Sequence, residues 1–317
     1  MEITRQGAFW SLAPDVVCLP EPIVNLFFVG LPQAGDRGWT LIDTGLPRMT
    51  GQIIRAAEAR FGPGARPAAI LLTHGHFDHT GQLETLAQEW DVPVYAHRLE
   101  LPYLTGRSAY PPPDPTVGGG AMTRLSPLYP RGPLDLGARV HPLPDDGNVP
   151  NLPGWRAIHT PGHAPGHVSF FREADRLLIA GDAFVTTKQE SAFAALTKPV
   201  VMHGPPAYFT PDWRAARRSV ELLASLHPAI AGTGHGRPLA GTALDDGLQA
   251  LARGFDHLAI PASGRYVGHP ASADERGVIS VPDPASDPLP PRLAGLAASF
   301  VVAASIMALR RRLAASR

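Results

Sequence analysis

Short apolar runs alternate with helical patterns along most of the chain, which predicts strands layered against helices. Trp39 to Asp43 reads as a strand, followed by the turn residues Gly45 and Pro47. Thr50 is placed to cap a helix whose apolar positions Ile53, Ile54, Ala57 and Phe61 share one face, with Gly62 and Pro63 as the stop. Ala68 to Thr73 is an apolar run and predicts a strand buried on both faces. In the helix after it, Leu83, Leu86, Ala87 and Trp90 fall on one face. The second half repeats the style, with strands near Arg156–His159, Val168–Phe171, Leu177–Ala180 and Ala229–Gly232. Trp213, Ala216, Val220 and Leu223 line a helix from Pro211 to about Leu226, and another runs through Leu244, Leu248, Leu251 and Phe255.

Two stretches break the pattern. Pro102 to Pro153 is rich in proline and glycine and is too long for a plain connection, so it reads as a covering loop or partial cap. The prolines between Pro282 and Pro291 suggest a stiff linker. The expected organisation is one domain over 1–270, a linker over 271–292 and an apolar helix with a basic tail over 293–317.

Composition narrows the function classes only slightly. Lys plus Arg and Asp plus Glu both number 28 among 317 residues, so composition implies no basic face and no nucleic-acid partner is expected. The single cysteine, Cys18, forbids an intramolecular disulfide and reads as a small buried hydrophobe.

The chemistry concentrates in Thr73-His-Gly-His-Phe-Asp-His79. Alternate side chains of an extended segment point the same way, so His74 and His76 can converge on one ion. Gly75 lets the backbone turn, and Asp78 and His79, at the start of the next helix, can face a second ion. Imidazole with carboxylate suits zinc, and also iron, manganese or nickel.

This segment resembles the HxHxDH motif of the metallo-β-lactamase superfamily. Thr40-Leu-Ile-Asp-Thr-Gly45, Thr160-Pro-Gly-His163, Gly181-Asp182 and Gly234-His-Gly236 resemble its other motifs, in the same order. The resemblance covers roughly residues 15 to 240 and implies an α+β fold, the αββα four-layer sandwich, with metals at one sheet edge. It also implies that His74, His76 and His163 bind a first metal and Asp78, His79 and His235 a second, with Asp182 as the bridge. Asp43 would orient a ligand histidine and His167 would support rather than ligate. His97 and His159 read as packing or hydrogen-bonding residues.

The implied cofactors are two divalent ions, zinc first among them. Water shared by such ions loses a proton far more easily than bulk water, whose pKa of about 15.7 falls to about 7 on zinc. The resulting hydroxide would attack the carbonyl of a small-molecule lactone, thioester or other ester, with Asp78 relaying a proton. Two other activities remain open on the same frame: a mononuclear iron dioxygenase of the persulfide type and a metallo-phosphodiesterase. Candidate substrate contacts are Tyr103, Tyr110, Tyr129, Lys188, His203, Tyr208 and Phe209.

The first residues, Met1 to Leu19, lack the basic start and apolar run of a signal peptide, so cytoplasmic residence is expected. The C-terminus complicates that expectation: Leu293 to Leu309 carries no charge and is followed by Arg310, Arg311 and Arg312. About 17 residues of helix rise ~25 Å against a hydrocarbon core of ~30 Å, a marginal length for a membrane anchor. If 293–309 anchors the chain, the full-length protein should sediment with membranes while a version ending near Asp287 stays in the supernatant. Equal solubility of the two in a fractionation experiment would remove the anchor.

Overall fold

Alternation within the strands sorts their side chains into two apolar layers per sheet. In the computed structural model, which describes residues 3–285, the first sheet has eight strands in chain order. These are β1 (Thr4–Gln6), β2 (Phe9–Ala13), β3 (Val16–Pro20), β4 (Asn25–Val29), β5 (Thr40–Ile42), β6 (Ala69–Leu71), β7 (Val94–Ala96) and β8 (Val140–Pro142). Neighbours are antiparallel from β1 to β5 and parallel from β5 to β8.

The second sheet holds β9 (Trp155–His159), β10 (Val168–Arg172), β11 (Leu177–Ile179), β12 (Ile230–Gly232) and β13 (Leu239–Ala240), in the spatial order β13-β12-β11-β10-β9. Only β11 and β12 run parallel. Between the sheets, Cys18, Phe27, Ile42 and Leu71 meet Phe170, Leu177, Ile179 and Ile230. Their chain neighbours Val17, Phe28, Leu41 and Ile70 turn outward onto α1 (Thr50–Phe61) and α2 (Leu83–Trp90). Likewise Phe171, Leu178 and Ala231 face α6 (Trp213–Ser225), α7 (Gly241–Arg253) and α8 (Phe255–Leu258). Three apolar interfaces between four layers make the αββα sandwich. Cys18 is fully buried, and burial pushes its thiol up to about 12.

Several expectations shift in detail. Thr50 is the first residue of α1 rather than its cap; Met49 precedes it without a side-chain cap, and the Thr50 hydroxyl bonds the Gln82 side chain instead. Asp212 caps α6, accepting from the Ala215 amide at 2.9 Å. The helix expected through Phe255 breaks at Gly254 into α7 and α8. Strands β1 to β4 lie in a part of the chain where no strand is predicted. The Pro/Gly-rich stretch contains α3 (Leu101–Leu104, which begins one residue before it) and α4 (Ala121–Leu125), and it contributes β8 to the sheet edge. Inside the expected linker, β14 (Ser272–Asp274) and β15 (Gly277–Ser280) pair as a hairpin, and α5 (Ala192–Thr197) follows the Asp182 loop. Among the described residues no helix is long and apolar enough to cross a membrane, and residues 293–309 lie outside them.

Phe28 shows how the outer layer is held. Its ring is fully buried against Phe9, Trp39 and Phe61, with centroids at 5.6, 5.5 and 6.1 Å. Phe28→Ala should cost about 3–5 kcal/mol in a urea unfolding curve. Leu31→Ala, at a side chain 61% exposed, should stay within about 0.5 kcal/mol.

Candidate metal centre

Loops leaving β5, β6, β11 and β12, with the turn joining β9 to β10, meet at one edge of the sandwich. They bring together all seven of the expected ligands. His74, His76 and His163 offer atoms that lie within 4.8 Å of one another, as do His74, His79 and Asp182, and Asp78, His79 and His235. His76 Nδ1 is 2.9 Å from His163 Nε2. Asp182 stands between the groups: its Oδ2 lies 2.9 Å from His235 Nε2 and 3.4 Å from His163 Nε2, and its Oδ1 3.6 Å from His79 Nε2. His235 Nε2 is also 3.6 Å from Asp78 Oδ2.

Local backbone explains the convergence. Strand β6 ends at Leu71, so His74 and His76 project from a loop rather than from a strand, their rings 4.6 Å apart and nearly perpendicular. Asp78 and His79 belong to a turn ahead of α2, in which the His79 and Thr80 amides both donate to the His76 carbonyl. Gly181 takes φ +55°, and a Cβ there would strike the His167 ring and Thr73. Asp43 adopts φ +60°, a strained position for a residue with a side chain.

That strain aims a carboxylate. Asp43 Oδ2 accepts from His79 Nδ1 at 2.7 Å, while its two oxygens also take the Thr73 amide and hydroxyl at 2.8 and 2.7 Å. His79 Nε2 is thereby turned into the centre. His235 Nδ1 donates to the Ile23 carbonyl at 2.5 Å, which does the same for that ring. Both nitrogens of His167 are occupied: Nε2 accepts the Asp182 amide at 2.8 Å and Nδ1 faces the Thr160 hydroxyl at 2.8 Å. His167 therefore holds the Asp182 backbone, and both of its nitrogens are engaged.

The donor set fits divalent metal. His74 Nε2, His79 Nε2 and Asp182 Oδ1 are buried without a hydrogen-bond partner, an arrangement that costs free energy unless a cation completes it. Burial and neighbouring histidines hold His74 and His163 well below the usual imidazole range and His76 at about 3, so these rings are in the neutral, ligating form. Against the effect of burial, Asp43 and Asp182 raise His79, and Asp182 and Asp78 raise His235. Burial alone would raise Asp182, yet His235 and His79 hold it well below the carboxylate range. Positive charge at this point is what the carboxylates require.

A recess of about 10 Å³, room for one water, opens onto His76 and His163 and is walled by Tyr110, Pro111, Pro112, Phe209, Pro211 and Tyr266. Of the candidate substrate contacts, Tyr110 and Phe209 line it. Tyr129 packs on Phe77 and Phe209, and Tyr208 against both Tyr129 and Phe209. Tyr103 instead stacks behind Tyr110, Lys188 is exposed, and His203 lies 3.9 Å from Glu190. His97 and His159 stack on each other outside the site. Thr73 and Thr160 open two of the quoted motifs without an assigned role, and Glu100 and Tyr266 were not marked by the sequence. Glu100 is fully buried beside the His76 loop, yet Arg98-Leu-Glu100 carries no pattern that announces it.

A four-layer sandwich with a histidine–aspartate cluster at one sheet edge is the frame of a metal-dependent hydrolase. The metallo-beta-lactamase superfamily matches residues 19–235, and the chain belongs to that superfamily. It is 46% identical to the probable metallo-hydrolase YflN of Bacillus subtilis (strain 168) over 78% of this chain and 94% of that one. The probable metallo-hydrolase YybB of the same organism is 30% identical over 63% of this chain and 76% of its own. Among solved structures, a metallo-beta-lactamase family protein of Thermus thermophilus shares the fold with a TM-score of 0.52, 24% identity, and coverage of 78% of this chain and 81% of that one. A beta-lactamase domain protein of Burkholderia ambifaria does so with a TM-score of 0.54, 22% identity, and coverage of 80% and 78%.

Asp43→Asn should weaken divalent-metal binding, read with zinc as the probe, by about 10–100-fold, since its NH2 would face either the His79 ring or the Thr73 amide. Competition with a chromophoric chelator measures this, and far-UV circular dichroism checks that the variant is folded.

Proposed function

We propose that the chain is a binuclear metal-dependent hydrolase acting on an ester-like carbonyl of a small molecule: a lactone, a thioester or another ester. The observation that carries this reading is Asp182, one buried carboxylate whose Oδ2 faces both His163 and His235 and whose Oδ1 faces His79. Two donor sets sharing a carboxylate suit two ions better than one. His74, His76 and His163 would hold the first and Asp78, His79 and His235 the second, with zinc suited to this mix of imidazole and carboxylate. Bound there, the pair would supply Lewis acidity toward the substrate oxygen and lower the pKa of water.

The chain's own part is orientation, charge and exclusion of water. Asp43 and the Ile23 carbonyl fix the second set of rings, and His167 fixes Asp182. Asp78 is pushed up by burial, which suits a carboxylate that takes up and returns a proton at its free oxygen. Tyr110, Pro112 and Phe209 wall off the recess, so only a small electrophilic group reaches His76 and His163.

Wild-type protein should carry two zinc ions per chain, and His76→Ala or Asp182→Ala should greatly reduce both metal content and hydrolysis. The test is elemental analysis beside a screen of lactones, thioesters, phosphodiesters and a cephalosporin. Unchanged stoichiometry in the variants would overturn the ligand assignment. One iron per chain with oxygen uptake would replace hydrolysis by the dioxygenase reading, and turnover of phosphodiesters alone would replace the carbonyl substrate.

A further inference from the structure

We propose that Glu100 is a positioning residue that fixes the distance between the His74–His76 loop and the His163 loop, and ties both to the covering segment through Tyr110. The inference rests on the metal-centre reading above.

Glu100 ends the short turn after β7 and is fully buried. Among the described residues no cation lies within ion-pairing distance of it; its carboxylate is met by three donors instead. Oε2 accepts the Gly75 amide at 2.9 Å and the Tyr110 hydroxyl, and Oε1 accepts the Gly166 amide at 2.7 Å. Gly75 stands between His74 and His76, and Gly166 between His163 and His167. One side chain thus grips two ligand loops whose histidines are 87 residues apart in sequence. The Val168 amide on the Thr73 carbonyl, at 2.9 Å, ties the loops on the far side of His74.

The residue type follows from the donors. A carboxylate has two acceptor oxygens and no donor, so it can serve both amides and the hydroxyl at once. A glutamine would turn an NH2 group toward one of them, and an apolar residue would leave the Gly166 amide without a partner and the Gly75 amide with the Tyr110 hydroxyl alone. Aspartate is shorter by a methylene. The contacts are also close: a Cβ on Gly75 would lie 2.6 Å from the Tyr110 oxygen, and one on Gly166 2.8 Å from the Glu100 side chain. A shift of the Gly75 amide carries His76 Nδ1 toward or away from His163 Nε2. Tyr110 extends the grip outward. Its hydroxyl lies 2.9 Å from the Gly75 amide, its ring is 4.5 Å from that of His76, and its own amide donates to the Arg131 carbonyl in the covering segment.

The test uses full-length protein: wild type, Glu100→Gln, Glu100→Asp and Tyr110→Phe. Zinc affinity is read by chelator competition, the absorption bands by cobalt(II) substitution, and exchange of the Gly75 and Gly166 amides in the metal-free protein. Glu100→Gln should keep its far-UV circular dichroism, lose about 10–100-fold in affinity for the weakened site, shift the cobalt bands and exchange at least one of the two amides faster. Tyr110→Phe should speed exchange at Gly75 but not at Gly166. Should Glu100→Gln fail to fold, Glu100→Asp carries the same expectations with the charge retained. Folded Glu100 variants with wild-type zinc affinity, cobalt spectrum and amide exchange would overturn the proposal, even if their melting temperature fell. Wild-type protein that binds no zinc would instead overturn the metal-centre reading.

Discussion

A carboxylate buried between two sets of imidazoles governs the arrangement of this protein. Asp182 is removed from water, and an anion in that position costs several kcal/mol unless positive charge and hydrogen bonds offset it. Its surroundings are built to that demand. Gly181 turns the chain so that the side chain enters the centre, His167 holds its amide, and a Cβ on Gly234 would fall on Oδ1. Histidines from three separated loops then supply the facing nitrogens. None of these loops could reach the others without the sandwich beneath them.

The sandwich supplies position because its strands are short, buried and alternately faced. Leu71 points between the sheets while Ile70 and Leu72 pack on helices, so the end of β6 has little freedom to rotate. A slip of one residue would send an outward side chain inward and swing the His74 loop away from the edge. The same rigidity sustains Asp43 at its positive φ: the Thr73 amide and hydroxyl, the Asp43 amide on the Leu71 carbonyl and the His79 ring all hold it there. Backbone strain of about 1–3 kcal/mol is carried at the point where a ligand must be aimed.

What could be read from the sequence follows from how local each signal is. His74, His76, Asp78 and His79 lie within one turn of chain, so their chemistry is visible at a glance; His163, Asp182 and His235 gain meaning only from their order. Helix faces such as Leu83, Leu86, Ala87 and Trp90 were legible because packing follows their period. Strands β1 to β4 were not: Thr4–Gln6 is short and polar, and the apolar runs Val16–Leu19 and Leu26–Val29 are too short for their period to separate strand from helix. Glu100 was hidden for a stronger reason. Its burial is created by Gly75, Gly166 and Tyr110 arriving from elsewhere, and nothing within Arg98-Leu-Glu100 separates it from a solvent-facing acid. Thr50 shows the reverse error: a good capping residue by type found a better partner in Gln82.

Chemistry and access are therefore assigned to different parts of the chain. The ligands sit on loops braced by strands, whereas the recess is closed by Tyr110 to Pro112, Phe209, Pro211 and Tyr266, all outside the strands. Polar contacts join these walls to one another: Tyr266 to the Pro112 carbonyl, Asp114 to the Arg265 amide, the Asp114 amide to the Tyr208 carbonyl. Tyr110 is where the two meet, since its ring faces His76 and its hydroxyl shares Glu100 with the ligand loop. A change at Tyr110 is therefore felt by the cover and by the Gly75 amide together.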